Sequence, residues 1–517
     1  MAAAARGFRH IAGGTSDWRP TNPADKPASR WKFLLPLAIV AAPAIAAPWA
    51  DVGNRQLRTD IEVLKAAGVI RGPVNSWPLP WAQVDNGIDS IGNAPLAPHV
   101  AAAMARVRAL SARARQETNA EVTLAATNDV QLVRDFGGGA RQKGDIGARS
   151  EFDTGNFYAS IGTGYRRNQD GGDHHFEPSY IAVKSGNWAV YAGFADLWFG
   201  PGNDGTLLFS NSARPFPKVG IRRLSPDPLN IPVFKWLGPI RVDAFAGMLN
   251  ETREYRNPLV MGMRVAFEPV RGLEIGLHRA VQMCGSGRPC NGRTLGKAWF
   301  GVGTVSGGNT DTDPGNQLAG YDLSFSRMVG PVTTKVYFEA LAENRNRLKL
   351  KQYARMGGLQ LNGPLGARGG NWAGFVEYAD TKGSDFFGGR SFPGSLYNDF
   401  LYTDGFTYRR RPIGHSLDAD TRVLTVSGSA TDRRNRRAYA SFRAIDLNIT
   451  ADRFAGQRPR NRISASRETI EVYTAGADVP TRFGDLRIEA RLQNDGPDTP
   501  GASKLYPAVE VALRTRF

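Results

Sequence analysis

The chain ends in Ala508-Val-Glu-Val-Ala-Leu-Arg-Thr-Arg-Phe517, a stretch in which apolar and charged residues alternate. Val509 and Val511 fall on one face of an extended chain, whereas Glu510 and Arg514 fall on the other, because successive side chains of a strand point to opposite faces. A strand that is apolar outside and charged inside is typical of a closed barrel in a lipid bilayer. One such strand also fits a soluble sandwich, so the rest of the chain has to decide between the two.

The same period of two recurs from Glu121 to the end of the chain, with turns and polar loops between the strand-like runs. We place strands near 121–134, 144–152, 157–166, 178–185, 188–198, 218–224, 240–250, 258–268, 273–283, 319–328, 332–343, 353–361, 371–380, 421–429, 438–448, 468–479, 485–494 and 508–517. That is 18 strands, an even number, as a single-chain bacterial barrel requires. No apolar run reaches the roughly 20 residues of a membrane helix, so a membrane protein with this composition has to be a β-barrel.

Residues 47–120 follow a helical spacing instead. Leu57, Ile61 and Leu64 share one face of a helix that Gly68 can end, which predicts a small helical bundle before a barrel over 121–517. Between the strands, short turns alternate with long polar loops, at 199–217, 284–318, 381–420 and 449–467. If both chain ends lie in the periplasm, this alternation of short and long connections places the bundle and the short turns in the periplasm and the long loops outside the cell. The connection 225–239 is long for a periplasmic turn.

Residues 1–46 are predicted to be an export signal. Arg30 and Lys32 precede an apolar run, and Ala44-Ile-Ala46 supplies a small-x-small cleavage pattern. The remaining chain keeps 59 Lys and Arg against 46 Asp and Glu, a formal charge of +13. This surplus suits an acidic partner, either lipopolysaccharide phosphates or an acidic polysaccharide, although part of it could solvate a polar lumen. Export argues against nucleic acid.

The two cysteines lie close together, in Cys284-Gly-Ser-Gly-Arg-Pro-Cys290. An exported chain meets oxidising conditions, so we expect a disulfide in this loop. We expect no metal site and no cofactor; His174-His175-x-Glu177 is better explained as part of a solvated loop. The chain has no His-Glu-x-x-His motif, nucleophile elbow or Walker loop, so we expect a protein that is not an enzyme.

Three stretches of the predicted bundle resemble the N-terminal head of the Wzi-type capsule assembly family: Trp49-Ala-Asp-Val-Gly53, Leu57 to Gly72, and Trp77-Pro-Leu-Pro-Trp81. Further stretches that resemble the family are Phe199 to Pro217, Met261-Gly-Met-Arg-Val265 and Pro412 to Asp420. The resemblance implies an 18-stranded outer-membrane barrel with a periplasmic helical bundle. It also implies a lectin that holds capsular polysaccharide on the cell surface. The terminal Phe517 resembles the C-terminal signature of bacterial outer-membrane barrels.

Glycan recognition needs aromatic faces for sugar rings and polar groups for hydroxyls, and carboxylated sugars add a need for Arg. The long loops offer all three. The candidate polysaccharide-binding residues are Asn203, Asp204, Asn211, Arg214, Arg390, Tyr402, Arg409 and Arg411. These residues could instead only pack the loops together over the barrel mouth.

We therefore expect a monomeric outer-membrane protein of a Gram-negative bacterium that contacts lipid and attaches an acidic capsular or extracellular polysaccharide to the cell surface. The alternative is an outer-membrane porin with a wall-associated head, because Asp51-Val and Gly68-Val-Ile loosely resemble an S-layer homology module. An enzyme acting on glycan or lipid ranks third.

Overall fold

The computed structural model describes residues 47–92, 94–116, 118–168, 171–300, 313–343, 353–366, 369–385, 394–454, 460–499 and 504–517 of the 517-residue chain. The predicted export signal, residues 1–46, lies outside this part. None of the described helices has the length and apolar character needed to cross a membrane.

Three helices make up the N-terminal head: α1 (Arg55–Ala66), α2 (Trp81–Ser90) and α3 (Pro98–Ala114). Asn54 caps α1, since its side chain accepts a hydrogen bond from the Leu57 backbone nitrogen at 2.9 Å. The buried faces of the helices share one apolar core that contains Leu64, Val84 and Val107. This core also includes Phe136 and Trp198, which lie in connections of the barrel, so the head shares its core with them.

Eighteen strand positions close into one antiparallel barrel. In chain order the strands are β1 Thr118–Thr127, β2 Gly144–Asp153, β3 Phe157–Asn168, β4 Ser179–Ser185, β5 Trp188–Phe194, β6 Lys218–Arg223, β7 Ile240–Met248, β8 Leu259–Val270, β9 Leu273–Met283, β10 Asn316–Val329, β11 Val332–Glu343, β12 Tyr353–Leu365, β13 Gly370–Ser384, β14 Arg422–Thr431, β15 Arg437–Leu447, β16 Glu468–Thr481, β17 Gly484–Gln493 and β18 Tyr506–Arg516. The short segment Gly171–His175 pairs with β3, as β4 does, so the two occupy one broken position. The barrel closes where β18 pairs with β1, with Leu513 opposite Leu124.

The predicted barrel of 18 strands is confirmed, and each predicted strand overlaps an observed one. The prediction was wrong at the end of the first strand, which we expected to reach residue 134. β1 ends at Thr127, and residues 128–143 form a loop. This loop turns toward the inner wall, where the Gln131 side chain donates to Glu489 Oε1 at 2.7 Å. Such a long-range contact is not visible in the local alternation that the prediction used.

The two faces of the barrel wall differ as the terminal strand predicts. Val509 and Val511 of β18 are 51% and 42% exposed on the outer surface, whereas the intervening Glu510 is 1% exposed on the inner one. Connections at the end of the barrel that holds the head are short, except for residues 224–239, which contain the 3-10 helix Pro232–Leu237. The opposite end has the longer connections. One of them carries the helix α4 (Gly292–Phe300) and the Cys284–Cys290 disulfide.

The head reaches into the barrel and binds its inner wall. Glu274 of β9 accepts hydrogen bonds from the backbone nitrogens of Val74, at 2.7 Å, and Asn75, at 3.2 Å. Glu268 of β8 accepts from the backbone nitrogen of Gly72 at 2.5 Å. Backbone amides that are removed from water need an acceptor, and a carboxylate is a strong one. The inward charged residues of β8 and β9 therefore fix the head rather than solvate an open lumen.

The loop 199–217 also folds into the barrel, where it meets the head. Trp198–Phe199 pairs with Ser76–Trp77 of the head as a short antiparallel ladder. The Phe199 backbone nitrogen donates to the Phe209 carbonyl at 3.0 Å, so the loop doubles back on itself. Together, the head and this loop form a plug, by which we mean residues 72–78 and 199–217.

Two inward carboxylates hold the turn of that loop. Glu377 of β13 accepts the backbone amides of three consecutive residues, Asn203 at 2.6 Å, Asp204 at 3.2 Å and Gly205 at 2.8 Å. Glu339 of β11 accepts the Leu207 backbone nitrogen at 2.9 Å. Because the loop contains no regular secondary structure at this turn, these carboxylates supply the acceptors that a ladder would otherwise provide.

Replacing Glu377 with Ala is expected to loosen this turn without opening the barrel. A buried amide left without an acceptor costs about 1–3 kcal/mol, and about 1.4 kcal/mol corresponds to tenfold. Hydrogen exchange measured by mass spectrometry should therefore show amide exchange in 203–207 rising about tenfold or more, while exchange in β13 stays slow. The Glu377→Gln variant keeps one carbonyl acceptor, so its amide exchange rate in 203–207 should lie between those of the unchanged protein and Glu377→Ala. Unchanged exchange at 203–207 in Glu377→Ala would contradict the anchoring role.

A buried histidine lies against the same turn. His415, in the loop 394–421, is 2% exposed, and its Nδ1 accepts a hydrogen bond from the Leu417 backbone nitrogen at 3.3 Å. Burial lowers the pKa of His415 to about 4, against a smaller opposing effect of the Asp204 carboxylate. The folded protein therefore keeps this imidazole neutral at pH values where the unfolded chain protonates it.

Stability should fall as the pH drops below about 6.5, because the unfolded chain then binds a proton that the folded protein excludes down to about pH 4. Between pH 7 and pH 5 the loss from this residue is about 2 kcal/mol. The measurement is the urea unfolding free energy in detergent micelles at both pH values. Asparagine at position 415 retains an acceptor for the Leu417 nitrogen and does not titrate. The unfolding free energy of His415→Asn should therefore decrease less between pH 7 and pH 5 than that of the unchanged protein. An equal decrease in both proteins would show that His415 is not responsible.

Candidate functional site

Two of the sequence-predicted site residues lie inside the barrel and bind protein groups. Asp204 is 4% exposed. Its carboxylate accepts hydrogen bonds from Arg443 Nη2 at 2.6 Å and from the Thr425 hydroxyl at 2.7 Å. Asn211 donates through Nδ2 to the backbone carbonyl of Asp135 at 3.1 Å. Their side chains join loop 199–217 to the wall and to the neighbouring loop.

Asn203 lies beside these residues and faces empty space. Its Nδ2 donates to Gln360 Oε1 at 2.9 Å, and its carbonyl accepts the Phe136 backbone nitrogen at 3.1 Å. Both Asn203 and Gln360 line a cavity. Of the eight predicted residues, Asn203 lines that cavity directly, while Asp204 binds an arginine that lines it.

The remaining predicted residues are spread over the loops rather than gathered at one point. Arg214 forms an ion pair with Glu177, with 2.9 Å between Nε and Oε1, and a second one with Asp173. Tyr402 is 3% exposed and donates its hydroxyl to the Cys284 carbonyl at 2.9 Å.

The last three predicted residues also lie apart from one another. Arg409 is exposed, with its guanidinium carbon 5.7 Å from the Tyr408 ring. The guanidinium of Arg411 lies 3.5 Å from the Gln131 carbonyl. Arg390 lies outside the described residues.

The cavity has an empty volume of about 1030 Å³, including space open to solvent, and follows the inner wall from β12 to β18. Five arginines line it: Arg55, Arg58, Arg437, Arg443 and Arg491. Four aromatic residues line it as well: Phe136, Phe375, Tyr439 and Tyr506. Guanidinium groups and aromatic rings are thus combined in one enclosed space, which is the combination we expected in the long loops.

Residues at the two ends of the cavity belong to different parts of the chain. Asp129, Gln493 and Tyr506 lie where β1, β17 and β18 meet the longer connections. Arg55 and Arg58, from the first turns of α1, lie at the opposite end. The cavity therefore extends from the end with the long loops to the head.

Sequence reasoning missed the loop 128–143, which contributes Asp135 and Phe136 to the cavity. Arg55 binds the Asp135 carboxylate with two nitrogens, at 3.0 and 2.8 Å. Burial raises the pKa of Asp135, but the Arg55 and Arg443 guanidiniums outweigh it and hold that pKa below its usual range. One signal was present: Gly137-Gly-Gly139 lies just beyond the predicted strand 121–134, and Gly138 has a φ of +62° that other residues rarely adopt.

Arg58 differs from the other cavity arginines in its partners. Its Nη2 donates to the backbone carbonyls of Pro201, at 3.1 Å, and Gly202, at 2.6 Å, and its guanidinium carbon lies 4.4 Å from the centre of the Phe136 ring. Burial lowers the pKa of Arg58. Within the described part of the chain, no carboxylate forms an ion pair with it. Arg58 thus adds positive charge at the head end of the cavity.

Among the described residues, no group of three or more His, Cys, Asp or Glu side chains is arranged to hold a metal ion. In the motif His174-His175-x-Glu177, the Glu177 carboxylate binds Arg166 and Arg214. His175 is buried, with Nε2 3.4 Å from Asp145 Oδ1. The motif is therefore part of an ion-pair cluster at the broken strand.

Comparison with known proteins identifies the family. The family described as "Capsule assembly protein Wzi" matches residues 113–496. An uncharacterised 55.8 kDa protein in the cps region of Klebsiella pneumoniae is 24% identical over 411 residues, which cover 77% of this chain and 78% of that protein. The solved structure of Wzi from Escherichia coli matches with a TM-score of 0.77 at 19% identity, covering 91% of this chain and all of that one. The chain belongs to the Wzi capsule assembly family.

Proposed function

We propose that this protein is a carbohydrate-binding barrel of the outer membrane that attaches a capsular or extracellular polysaccharide to the cell surface. Family membership and the apolar outer wall of the barrel support this proposal. The E. coli Wzi structure is described as that of an outer-membrane protein involved in group 1 capsule assembly and as a carbohydrate-binding β-barrel. In this arrangement the head lies in the periplasm, residues 1–46 are removed on export, and the protein acts as a monomer.

The observation that carries the proposal is the cavity between β12 and β18. It has an empty volume of about 1030 Å³, including space open to solvent. The faces of Tyr506 and Phe375 suit the C–H faces of sugar rings, whereas the Tyr439 ring is already in contact with the guanidiniums of Arg55 and Arg437. Four of the five arginines are paired with protein carboxylates, but nitrogen atoms of Arg55, Arg58 and Arg437 have no hydrogen-bond partner among the described residues and can donate to a sugar carboxylate. These groups favour an acidic polysaccharide.

The direction of entry follows from the topology. Asp129, Gln493 and Tyr506 border the cavity at the end with the long loops, which face the outside of the cell if both chain ends lie in the periplasm. A chain end or side branch of the polymer would enter there and extend toward Arg58. The long loops, with Arg214, Arg409 and Arg411, would contact the polymer outside the cavity.

The plug supports a binding protein rather than an open porin. Residues 72–78 of the head contact β8 and β9, and the turn 203–207 is bound to β11 and β13. Both segments cross space that an 18-stranded porin leaves to water. A polymer bound in the remaining cavity would be retained, because the head closes its inner end.

Filling the cavity is expected to abolish binding. Ser441 of β15 faces the cavity, so Ser441→Trp places an indole in it, whereas Ala440→Trp places the same group on the outer face of the same strand. Isothermal titration with acidic polysaccharide purified from the producing cells should show at least about tenfold weaker binding for Ser441→Trp, or about 1.4 kcal/mol. Ala440→Trp should bind like the unchanged protein. Heat-modifiable migration on gels checks that both barrels fold; equal binding by both variants would place the site elsewhere.

A deletion strain tests the attachment role in cells. It should still make and export the polymer but release it, so the cell-bound fraction falls several-fold while the amount in the medium rises. Expression of the unchanged protein should restore attachment, and expression of Ser441→Trp should not. Normal cell-bound polymer in the deletion strain would contradict the proposal.

A further inference from the structure

One connection at the head end of the barrel is unusually long and apolar. Residues 224–239 join β6 to β7 and contain Ile231-Pro-Val-Phe-Lys-Trp-Leu237, with the 3-10 helix Pro232–Leu237. Val233 is 71% exposed and Trp236 is 65% exposed, with Ile231 and Phe234 at 47% and 44%. Lys235 is the single charged residue of 231–237, and Asp227 lies earlier in the connection. An exposed apolar cluster of this kind marks an interaction surface.

The segment continues the outer wall of the barrel. The Trp236 ring packs edge-on against Phe267 of β8, with 6.1 Å between ring centres. Phe267 belongs to the outward face of β8, because Arg264 and Glu268, on the other face, bind Ser76 and Gly72 of the head. The Glu268 backbone nitrogen donates to the Pro239 carbonyl at 2.9 Å, which fixes the end of the segment to the same strand. The apolar outer surface thus extends without a break onto Trp236.

The backbone of the segment indicates how deep it can lie. Two short-range bonds are present, from the Phe234 nitrogen to the Ile231 carbonyl and from the Gly238 nitrogen to the Lys235 carbonyl, at 2.9 and 3.2 Å. A 3-10 helix of six residues leaves backbone groups at both of its ends without partners inside the helix, so these groups need water and cannot lie in the hydrocarbon core. Tryptophan and phenylalanine beside one lysine are the residues that favour the membrane–water boundary.

We propose that residues 231–237 are an interfacial anchor that lies in the phospholipid leaflet on the periplasmic side of the outer membrane. The aromatic and aliphatic side chains enter the boundary region of the acyl chains, and Lys235 reaches the phosphate groups. The anchor sets the depth of the barrel at the end where the head is attached. This inference rests on the membrane location proposed above but not on carbohydrate binding.

Site-directed spin labelling tests the anchor directly. The chain has two cysteines, both in the disulfide, so a cysteine introduced by Val233→Cys is the one free thiol for a nitroxide label. The protein is reconstituted into phospholipid vesicles, and collision rates of the label with oxygen and with a water-soluble nickel complex are measured. Oxygen concentrates in the bilayer, whereas the nickel complex stays in water.

Two reference positions calibrate the result. Arg433→Cys labels the exposed turn 432–436 at the same end of the barrel, and Val511→Cys labels the outer face of β18. We expect the oxygen-to-nickel ratio at 233 to be several-fold higher than at 433 but lower than at 511, because 511 lies in the middle of its strand and 233 at the membrane boundary. A ratio at 233 equal to that at 433 would overturn the anchor, and protection that appears only after periplasmic proteins are added would assign the surface to a protein partner. If the label at 511 is also accessible to nickel, the membrane location fails, and the anchor fails with it.

Discussion

Carboxylates on the inner wall of the barrel bind the backbone of the segments that fill it. Glu274 accepts hydrogen bonds from two backbone amides of the head, and Glu377 accepts three from loop 199–217. Glu510 accepts one from the Ala140 amide of loop 128–143 at 3.1 Å. A barrel of 18 strands is wide enough to hold a water-filled channel. Irregular backbone can occupy that space only if its polar groups find partners, and a glutamate carboxyl group offers two oxygen acceptors on one side chain.

These contacts are distributed unevenly around the wall, and the cavity follows from that. The head binds β8 and β9, and Lys335 of β11 pairs with Glu62 of α1, so this side is filled. The wall from β12 to β18 also binds the turn 203–207 and loop 128–143, through Glu377 and Glu510, but it borders about 1030 Å³ of empty space beside them. The filled side positions the plug, and the plug together with loop 128–143 forms one wall of the cavity, since Asn203 and Phe136 line it.

The strands could be predicted from sequence because each one carries its own signal, as the alternation of Val509, Glu510 and Val511 illustrates. The site could not, because its contacts join residues far apart in the chain. Glu377 binds Asn203 across 174 positions, and no local pattern marks an inward glutamate as an acceptor for a loop amide. The combination of arginines and aromatic rings that we expected in the long loops occurs in the cavity instead. The structure gathers them on the wall and on loop 128–143, and it uses Asp204 and Tyr402 for internal bonds.

The positive charge of the chain acquires a more specific meaning in this arrangement. Arg443 is bound by Asp204 of the plug, and Arg55 of the head is bound by Asp135, so two cavity guanidiniums are fixed by plug or loop carboxylates. A guanidinium that is already fixed loses less conformational entropy when it binds a sugar carboxylate than a free surface arginine would. Arg58 has no carboxylate partner among the described residues and rests on the Phe136 ring. Binding strength in the cavity should therefore depend on the order of the plug, because Asp204, which joins the plug to Thr425 of the wall, also orients Arg443.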